Sequence, residues 1–409
     1  MCGNESFISN HAPYMAKTYD RASLVFTRGQ GSYLWDMENR RYLDLTSGIA
    51  VNSLGHCDAE IGKIISNQAT QLIHISNYFY SDWNCKLSKL LVEKTREAGS
   101  MGDAAAVFLS NSGSEANEAA FKFARKYGKS IDPSGNKFEI VSFHGSYHGR
   151  TFGSLSATPR PIYQDAFAPL VPGHRYGTFN ETNGLVDLIN PRTCAVIVEP
   201  IQGEGGVHVG SEDFMTKLCD RAREVGAVVI YDEIQCGLGR TGSFWAHTKL
   251  PPRAHPDIIT CAKALGNGYP IAATIVGKKI ADVIHFGDHG STYGGNPLGA
   301  SVAHHILHRL SDESTLRHVM SMAQLLRAGL LSLQQKYPTF ILDIRGDGLM
   351  IGVQVDRHVN TVVASARKNG LLIMTAQNNV IRILPTLNIT PDEIRQALEI
   401  LEKVFIDIQ

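Results

Sequence analysis

The chain has 409 residues, 43% of them hydrophobic, and its 39 lysines and arginines are balanced by 39 aspartates and glutamates. That length holds two or more domains with a sizeable core. The zero balance excludes recruitment to nucleic acid or to an anionic membrane by bulk charge.

Seven cysteines (Cys2, Cys57, Cys85, Cys194, Cys219, Cys236, Cys261) are scattered without a C-x-x-C pair. Neither a zinc site nor a disulfide framework is indicated, and a reducing compartment is expected. No apolar run approaches the roughly 20 residues that span a bilayer. The first thirty residues, with Glu5 and Asp20, show neither a signal-peptide core nor an Arg-rich presequence. The expected location is cytoplasmic, with the mitochondrial matrix as the alternative for a processed form.

In chain order, the opening region reads as a β-rich arm. GQGSYLWDMENRRYLDL, Gly29 to Leu45, alternates apolar and polar residues around a turn at Asp36 to Arg40, a hairpin signal. From about Ile61 the period becomes helical. The middle then alternates apolar runs with helical stretches: AAAVFLS before a helix near Glu115 to Lys126, CAVIVEP, a helix near Asp213 to Glu224, and AVVIYDE. Such alternation predicts an α/β fold with a mainly parallel sheet covered by helices, whose ligands bind beyond the strands' carboxyl ends. After Asn296 the period is helical through Lys336, followed by strands around Ile351 to Val355 and Val380 to Leu384. The expected division is an N-terminal arm (1–55), a large domain (56–296) and a smaller α+β domain (297–409) that the arm completes.

Three stretches carry chemistry. In SNSGSEANEAAFKFARK, Ser110 to Lys126, a strand ends in small polar residues just before an amphipathic helix. Gly113 lets the backbone approach an anion closely, Ser112 and Ser114 add hydroxyls, and the helix dipole favours negative charge; phosphate is the natural ligand. The plainer alternative is a serine N-cap on an ordinary helix.

In AVVIYDEIQCGLGRTG, Ala227 to Gly242, an apolar strand delivers Asp232 and Glu233 into a crevice, where a carboxylate needs a cation or donors. A magnesium-nucleotide role fails because the only Gly-Lys-Ser, Gly128 to Ser130, has Phe123 where a phosphate loop needs glycine. A protonated pyridine nitrogen would satisfy Asp232. In TCAKALGNGYPIAA, Thr260 to Ala273, Lys263 lies between an apolar approach and Gly266 and Gly268. Desolvation there lowers an amine's pKa and makes it a nucleophile and Schiff-base partner. His144 and His148 are spaced as a metal pair, but without H-E-x-x-H no metal is expected.

With NSGSEANEAA, YHGRT, VEPIQGEGG, YDEIQCGLGR, AKALGNGYPIAA and STYGGNPLG in this order, the chain resembles the class III, fold type I aminotransferases, most closely the fungal acetylornithine type. The resemblance runs from Tyr14 to Thr390. It implies pyridoxal 5′-phosphate (PLP) as cofactor, held by Lys263, with Asp232 on the ring nitrogen and Ser112, Gly113 and Ser114 around the phosphate. It further implies that Tyr147 and Ile234 pack on the two ring faces and that Gln235 meets the phenolic oxygen. Thr292 would reach the phosphate of a neighbouring subunit, so a homodimer with shared active sites is expected. Arg150 and Arg382 resemble two substrate-carboxylate arginines, and Glu204 the residue that masks the second, a task suited to guanidinium geometry.

The implied reaction moves the terminal amine of N2-acetyl-L-ornithine to 2-oxoglutarate, with Lys263 as the base and no metal. A paralogue using ornithine, 4-aminobutyrate or another amine stays open, as does a PLP-binding interaction module without turnover. Three local departures, SNYFYSDW at Ser76 to Trp83, Gln377, and LPT at Leu384 to Thr386, bear on the substrate's far end. Tyr78, Phe79 and Tyr80 are expected near the pocket.

Overall fold

In the computed structural model, which describes residues 3–356 and 359–408, the hairpin signal becomes three antiparallel strands: β1 (Phe26–Gln30), β2 (Tyr33–Asp36) and β3 (Arg41–Asp44). Asp36 closes the turn, its Oδ1 accepting from the amides of Glu38 at 3.0 Å and Arg40 at 2.9 Å, the side-chain mimicry that makes Asp a turn former. The arm is not β from its start. A helix, Asn4–His11, precedes it, anchored by the buried Asn4, whose Oδ1 accepts from the Val25 amide at 2.9 Å. Its short span and weak amphipathy left no periodic signal to read.

The apolar runs in the middle of the chain form one seven-stranded sheet. Its members are β4 (Ala104–Ser110), β5 (Glu139–Phe143), β6 (His174–Gly177), β7 (Thr193–Val198), β10 (Val228–Asp232), β11 (Ile258–Cys261) and β12 (Ala272–Gly277). A two-residue hairpin pair, β8 (Ile201–Gln202) and β9 (His208–Val209), lies between β7 and β10 in sequence. The order is β4-β12-β11-β10-β7-β5-β6, and β12 alone runs against the rest. Strands β5, β7, β10 and β11 are buried at every residue, as continuous apolar strands between two helical layers must be. The helix after β4 spans Gly113–Ile131, one turn longer at its end than the sequence period indicates.

Beyond Asn296, helices Pro297–Leu310 and Glu313–Lys336 lead into a four-stranded antiparallel sheet. Its strands are β13 (Ile341–Asp347), β14 (Met350–Val355), β16 (Met374–Ala376) and β17 (Val380–Ile383). Strand β15 (Leu371–Leu372) leaves this sheet and pairs in parallel with β3, Leu371 opposite Leu43. The N-terminal arm is therefore tied to the C-terminal part by main-chain hydrogen bonds. One apolar cluster runs from Leu43 and Leu87 through Leu265 and Ile306 to Phe405, so the arm, the centre and the C-terminal helices share a core.

Candidate active site

Five strands of the central sheet end on the same side, and each hands a polar group to one crevice. β4 leads to Ser112, β5 to Tyr147, β7 to Glu199, β10 ends in Asp232 and β11 leads to Lys263. This is where an open α/β sheet binds its ligand. The crevice encloses about 290 Å³ and is walled by Ser112, Gly113, Ser114, Tyr147, Asp232, Ile234, Gln235 and Lys263, together with Glu199, His148 and Tyr269.

At one end, the helix Gly113–Ile131 opens with a reciprocal cap: Ser112 Oγ accepts from the Glu115 amide at 3.3 Å, and Glu115 Oε2 accepts from the Asn111 amide at 2.7 Å. A side chain on Gly113 would lie 2.7 Å from Ile234 Cδ1, so only glycine lets Ile234 close over the helix start. The bare amides there favour an anion.

At the other end, Asp232 is 3% exposed and fully held. Its Oδ2 accepts from Asn117 Nδ2 at 2.9 Å and from His148 Nδ1 at 2.8 Å, and its Oδ1 accepts from the Ile234 amide at 3.1 Å. Asn117 is itself fixed, accepting from Thr260 Oγ1 at 2.8 Å and donating to the His148 carbonyl. Glu199, 4% exposed, accepts from the amides of Tyr147 at 3.0 Å and Gly203 at 3.2 Å. Burial pushes its carboxyl up to about 7, with nearby Asp232 acting the same way and His148 opposing.

Lys263 sits between these ends in a left-handed backbone conformation, φ 45°, which costs a β-carbon-bearing residue about 1–3 kcal/mol and is typical of functional sites. The turn is enforced by Gly266, where a β-carbon would lie 1.8 Å from the Tyr269 carbonyl oxygen. Burial pulls the Lys263 amine down to about 8, helped by the Arg382 charge and opposed by Asp232, Glu199 and Glu204. An amine so placed is partly uncharged near neutrality.

A second constellation borders the crevice. Arg382 on β17 is 2% exposed, and its Nη2 donates to Glu204 Oε2 at 3.0 Å while Nη1 donates to Gln235 Oε1 at 3.2 Å. Burial lowers its pKa and Glu204 counters. The other Glu204 oxygen accepts from Arg160 Nη1 at 3.0 Å. Arg150 is exposed, its guanidinium 3.7 Å from the centre of the Tyr163 ring and 5.8 Å from that of Tyr147.

The sequence-predicted residues Ser112, Gly113, Ser114, Tyr147, Asp232, Ile234, Gln235 and Lys263 are thus brought together around one cavity. Glu204 and Arg382 adjoin it through Gln235, and Arg150 through Tyr147. Thr292 is exposed and does not line it. Tyr78, Phe79 and Tyr80, expected near the pocket, are exposed just before the helix Asp82–Glu97 and are not part of the cavity wall.

Glu199, Asn117, His148 and Arg160 escaped sequence reasoning as site residues. Glu199 carries the same signal as Asp232, an acid ending an apolar strand. Asn117 is lost within a helical period, and the spacing of His148 from His144 suggests only a metal pair, whereas His148 is hydrogen-bonded to Asp232.

Residues 14–405 match the family model Aminotransferase class-III. The chain is 54% identical over 398 residues to the mitochondrial acetylornithine aminotransferase of Neurospora crassa, covering 97% of this chain and 86% of that one. The chain belongs to the class III aminotransferases.

Its Saccharomyces cerevisiae relative, also a mitochondrial acetylornithine aminotransferase, is 44% identical, with 95% of this chain and 93% of the other covered. Among solved structures, the ornithine aminotransferase of Toxoplasma gondii superposes with a TM-score of 0.92 at 30% identity, over 100% of this chain and 96% of that one. The N-acetylornithine aminotransferase of Stenotrophomonas maltophilia gives 0.83 at 34% identity, over 98% and 99%. The fold is that of the fold type I aminotransferases, and class III members are PLP-dependent enzymes. The cytoplasmic location expected from the first thirty residues is corrected by these comparisons, since the fungal relatives carry the name mitochondrial. A compartment address is read by import receptors and is not encoded in the packing of the enzyme body, so residues such as Glu5 and Asp20 could not decide it.

Proposed function

We propose that this class III aminotransferase transfers the terminal amine of N2-acetyl-L-ornithine to 2-oxoglutarate, giving N-acetyl-L-glutamate 5-semialdehyde and glutamate, with PLP held in the crevice. The observation that carries the reading is the meeting of Lys263 and Asp232 in one cavity, with the paired Glu204 and Arg382 joined to its wall through Gln235. The residues fit the cofactor. The Ser112–Gly113–Ser114 helix start suits its phosphate, Asp232 its ring nitrogen, and Lys263, whose Nζ has no hydrogen bond or ion pair among the described residues, its aldehyde. Bound there, PLP supplies the electron sink for the carbon that loses its proton.

The chain's own residues do the rest. With its amine held near 8, Lys263 is available to take and return that proton. Asn117 and His148 fix Asp232 through Oδ2, and Oδ1, which accepts from the Ile234 amide, has a second lone pair to offer the ring N–H. Arg150 receives the α-carboxylate of the amine substrate while Glu204 neutralises Arg382. When 2-oxoglutarate enters, the pair opens and the two arginines take its two carboxylates. In this reading Thr292 serves the site of a second copy in a homodimer, the chain divides at 55 and 296 as expected from sequence, and the enzyme works in mitochondria.

The amine is assigned from fungal relatives of that name at 44–54% identity over at least 95% of the chain. Ornithine is the second reading, favoured by the TM-score of 0.92 to an ornithine aminotransferase. A panel of kcat/KM values for acetylornithine, ornithine, 4-aminobutyrate, lysine and putrescine decides between them. Acetylornithine is expected to exceed ornithine at least tenfold, about 1.4 kcal/mol of transition-state binding; a smaller ratio rejects the assignment.

A further inference from the structure

Glu204 is shared between two arginines. Its Oε2 accepts from Arg382 and its Oε1 from Arg160, both at 3.0 Å. Arg160 is tied down in turn: Nη1 donates to the Tyr163 hydroxyl at 3.0 Å, and its guanidinium lies 4.4 Å from the centre of the Tyr163 ring. The same ring stacks with Arg150 at 3.7 Å, and the Tyr163 hydroxyl approaches Glu204 Oε1 at 3.5 Å. Arg150 and Arg382, the two arginines proposed for substrate carboxylates, are therefore connected through Tyr163, Arg160 and Glu204.

Counting charge across this cluster gives the consequence. Arg382 and Glu204 alone would be neutral, and an incoming carboxylate would leave two anions on one guanidinium. With Arg160 the cluster carries two guanidiniums on one carboxylate, so one further carboxylate brings it to balance. In the closed state Glu204 divides its oxygens between the two arginines. Once a substrate carboxylate takes Arg382, both Glu204 oxygens are free for Arg160, whose planar fork can hold them together. The contact from Arg160 is thus stronger in the open state than in the closed one, which is the condition for shifting the equilibrium between them.

We propose that Arg160 is a positioning residue that receives Glu204 when a dicarboxylate acceptor displaces it from Arg382, and so sets the preference for two carboxylates over one. This rests on the acceptor reading given above. Tyr163 fixes the Arg160 guanidinium and keeps it beside Arg150, so both carboxylate subsites share one support.

Glutarate and pentanoate, five-carbon acids with two carboxylates and one and no carbonyl to react, are the probes. Their dissociation constants are measured by titration calorimetry on the holoenzyme for wild type, Arg160→Ala and Arg160→Lys. The expected result is a tenfold or greater weakening of glutarate in Arg160→Ala, pentanoate changed less than twofold, and only part of the glutarate affinity regained in Arg160→Lys, which restores the charge without the planar fork. In kinetics, kcat/KM for 2-oxoglutarate falls in parallel with glutarate while the amine half-reaction changes less than about threefold. Equal weakening of both acids, or no weakening of either, overturns the role of Arg160. A wild type that neither binds glutarate nor uses 2-oxoglutarate overturns the acceptor reading itself, a result distinct from a normal wild type beside an unchanged variant.

Discussion

Lys263 concentrates the demands of the proposed chemistry in one amine, so its replacement has effects of two kinds. Lys263→Ala is expected to reduce turnover by several orders of magnitude, since a removed general base alone costs about 10²–10⁴ and the covalent hold on the cofactor goes with it. Borohydride reduction followed by peptide mapping checks the second point: wild type should carry the cofactor mass on the peptide containing Lys263, and the variant on no peptide. The other effect is on stability. Because the folded-state value, about 8, lies below the ordinary 10.5, the unfolded chain holds more protons between those values. Stability of the cofactor-free protein therefore rises with pH from 8 to 10.5, and below 8 the charged amine carries its full burial cost. Lys263→Met should accordingly be more stable than wild type at pH 7, by roughly 1–3 kcal/mol, with the advantage shrinking by pH 9.5. A melting-temperature difference that stays constant between those two pH values would sink the argument. Asp232→Asn, which removes the negative charge opposite the ring nitrogen, should lower kcat by about 100-fold or more with the cofactor still bound, as followed by its absorbance.

At the scale of elements, the site is legible where a side chain sits at the end of an apolar run. β10 and β11 read as buried strands, and their terminal Asp232 and the nearby Lys263 stand out because such ends rarely carry unpaired charge. Arg160 is illegible for the opposite reason: its partner Glu204 is 44 residues away and the two meet only through the fold. The same is true of Arg240. It sits in the loop after β10, is 1% exposed, and donates to the Leu349 carbonyl at 3.2 Å, to the Pro385 carbonyl, and to Ser53 Oγ at 3.2 Å. One guanidinium thus joins the N-terminal segment, the central sheet and the C-terminal strands, and burial pulls its pKa down to about 9. Arg240→Ala would leave those acceptors buried without a donor, at a cost of about 1–3 kcal/mol each at most. The expected loss is about 3 kcal/mol or more, read from urea unfolding at constant cofactor saturation. A loss below 1 kcal/mol would mean that water replaces the guanidinium and that the three parts do not depend on it.

For the whole molecule, the proposed homodimer is what the exposed residues put to the test. Tyr78 and Tyr80 are each at least 95% exposed, and Phe79, Phe286 and Tyr293 also face solvent, an amount of aromatic surface that a partner would remove from water. Thr292 lies in the same region of sequence as Phe286 and Tyr293, is exposed, and is absent from the wall of its own chain's cavity. If it serves the site of a second copy, each active site combines Lys263 of one chain with Thr292 of the other, and no single chain is complete. Sedimentation should then show a dimer at assay concentration, and an active monomer would refute the arrangement. Mixing supplies the sharper test. Thr292→Ala dimers should bind the cofactor phosphate more weakly and lose much of their activity at limiting cofactor, and Lys263→Ala dimers should be inactive. A hybrid of the two chains places both lesions in one site and leaves the other with an intact Lys263 and an intact Thr292. Co-expressed hybrids purified by two tags should therefore recover about half of wild-type activity at limiting cofactor. If Thr292 served its own chain, the hybrid's two sites would carry one lesion each, and activity would stay at or below half that of the Thr292→Ala dimer.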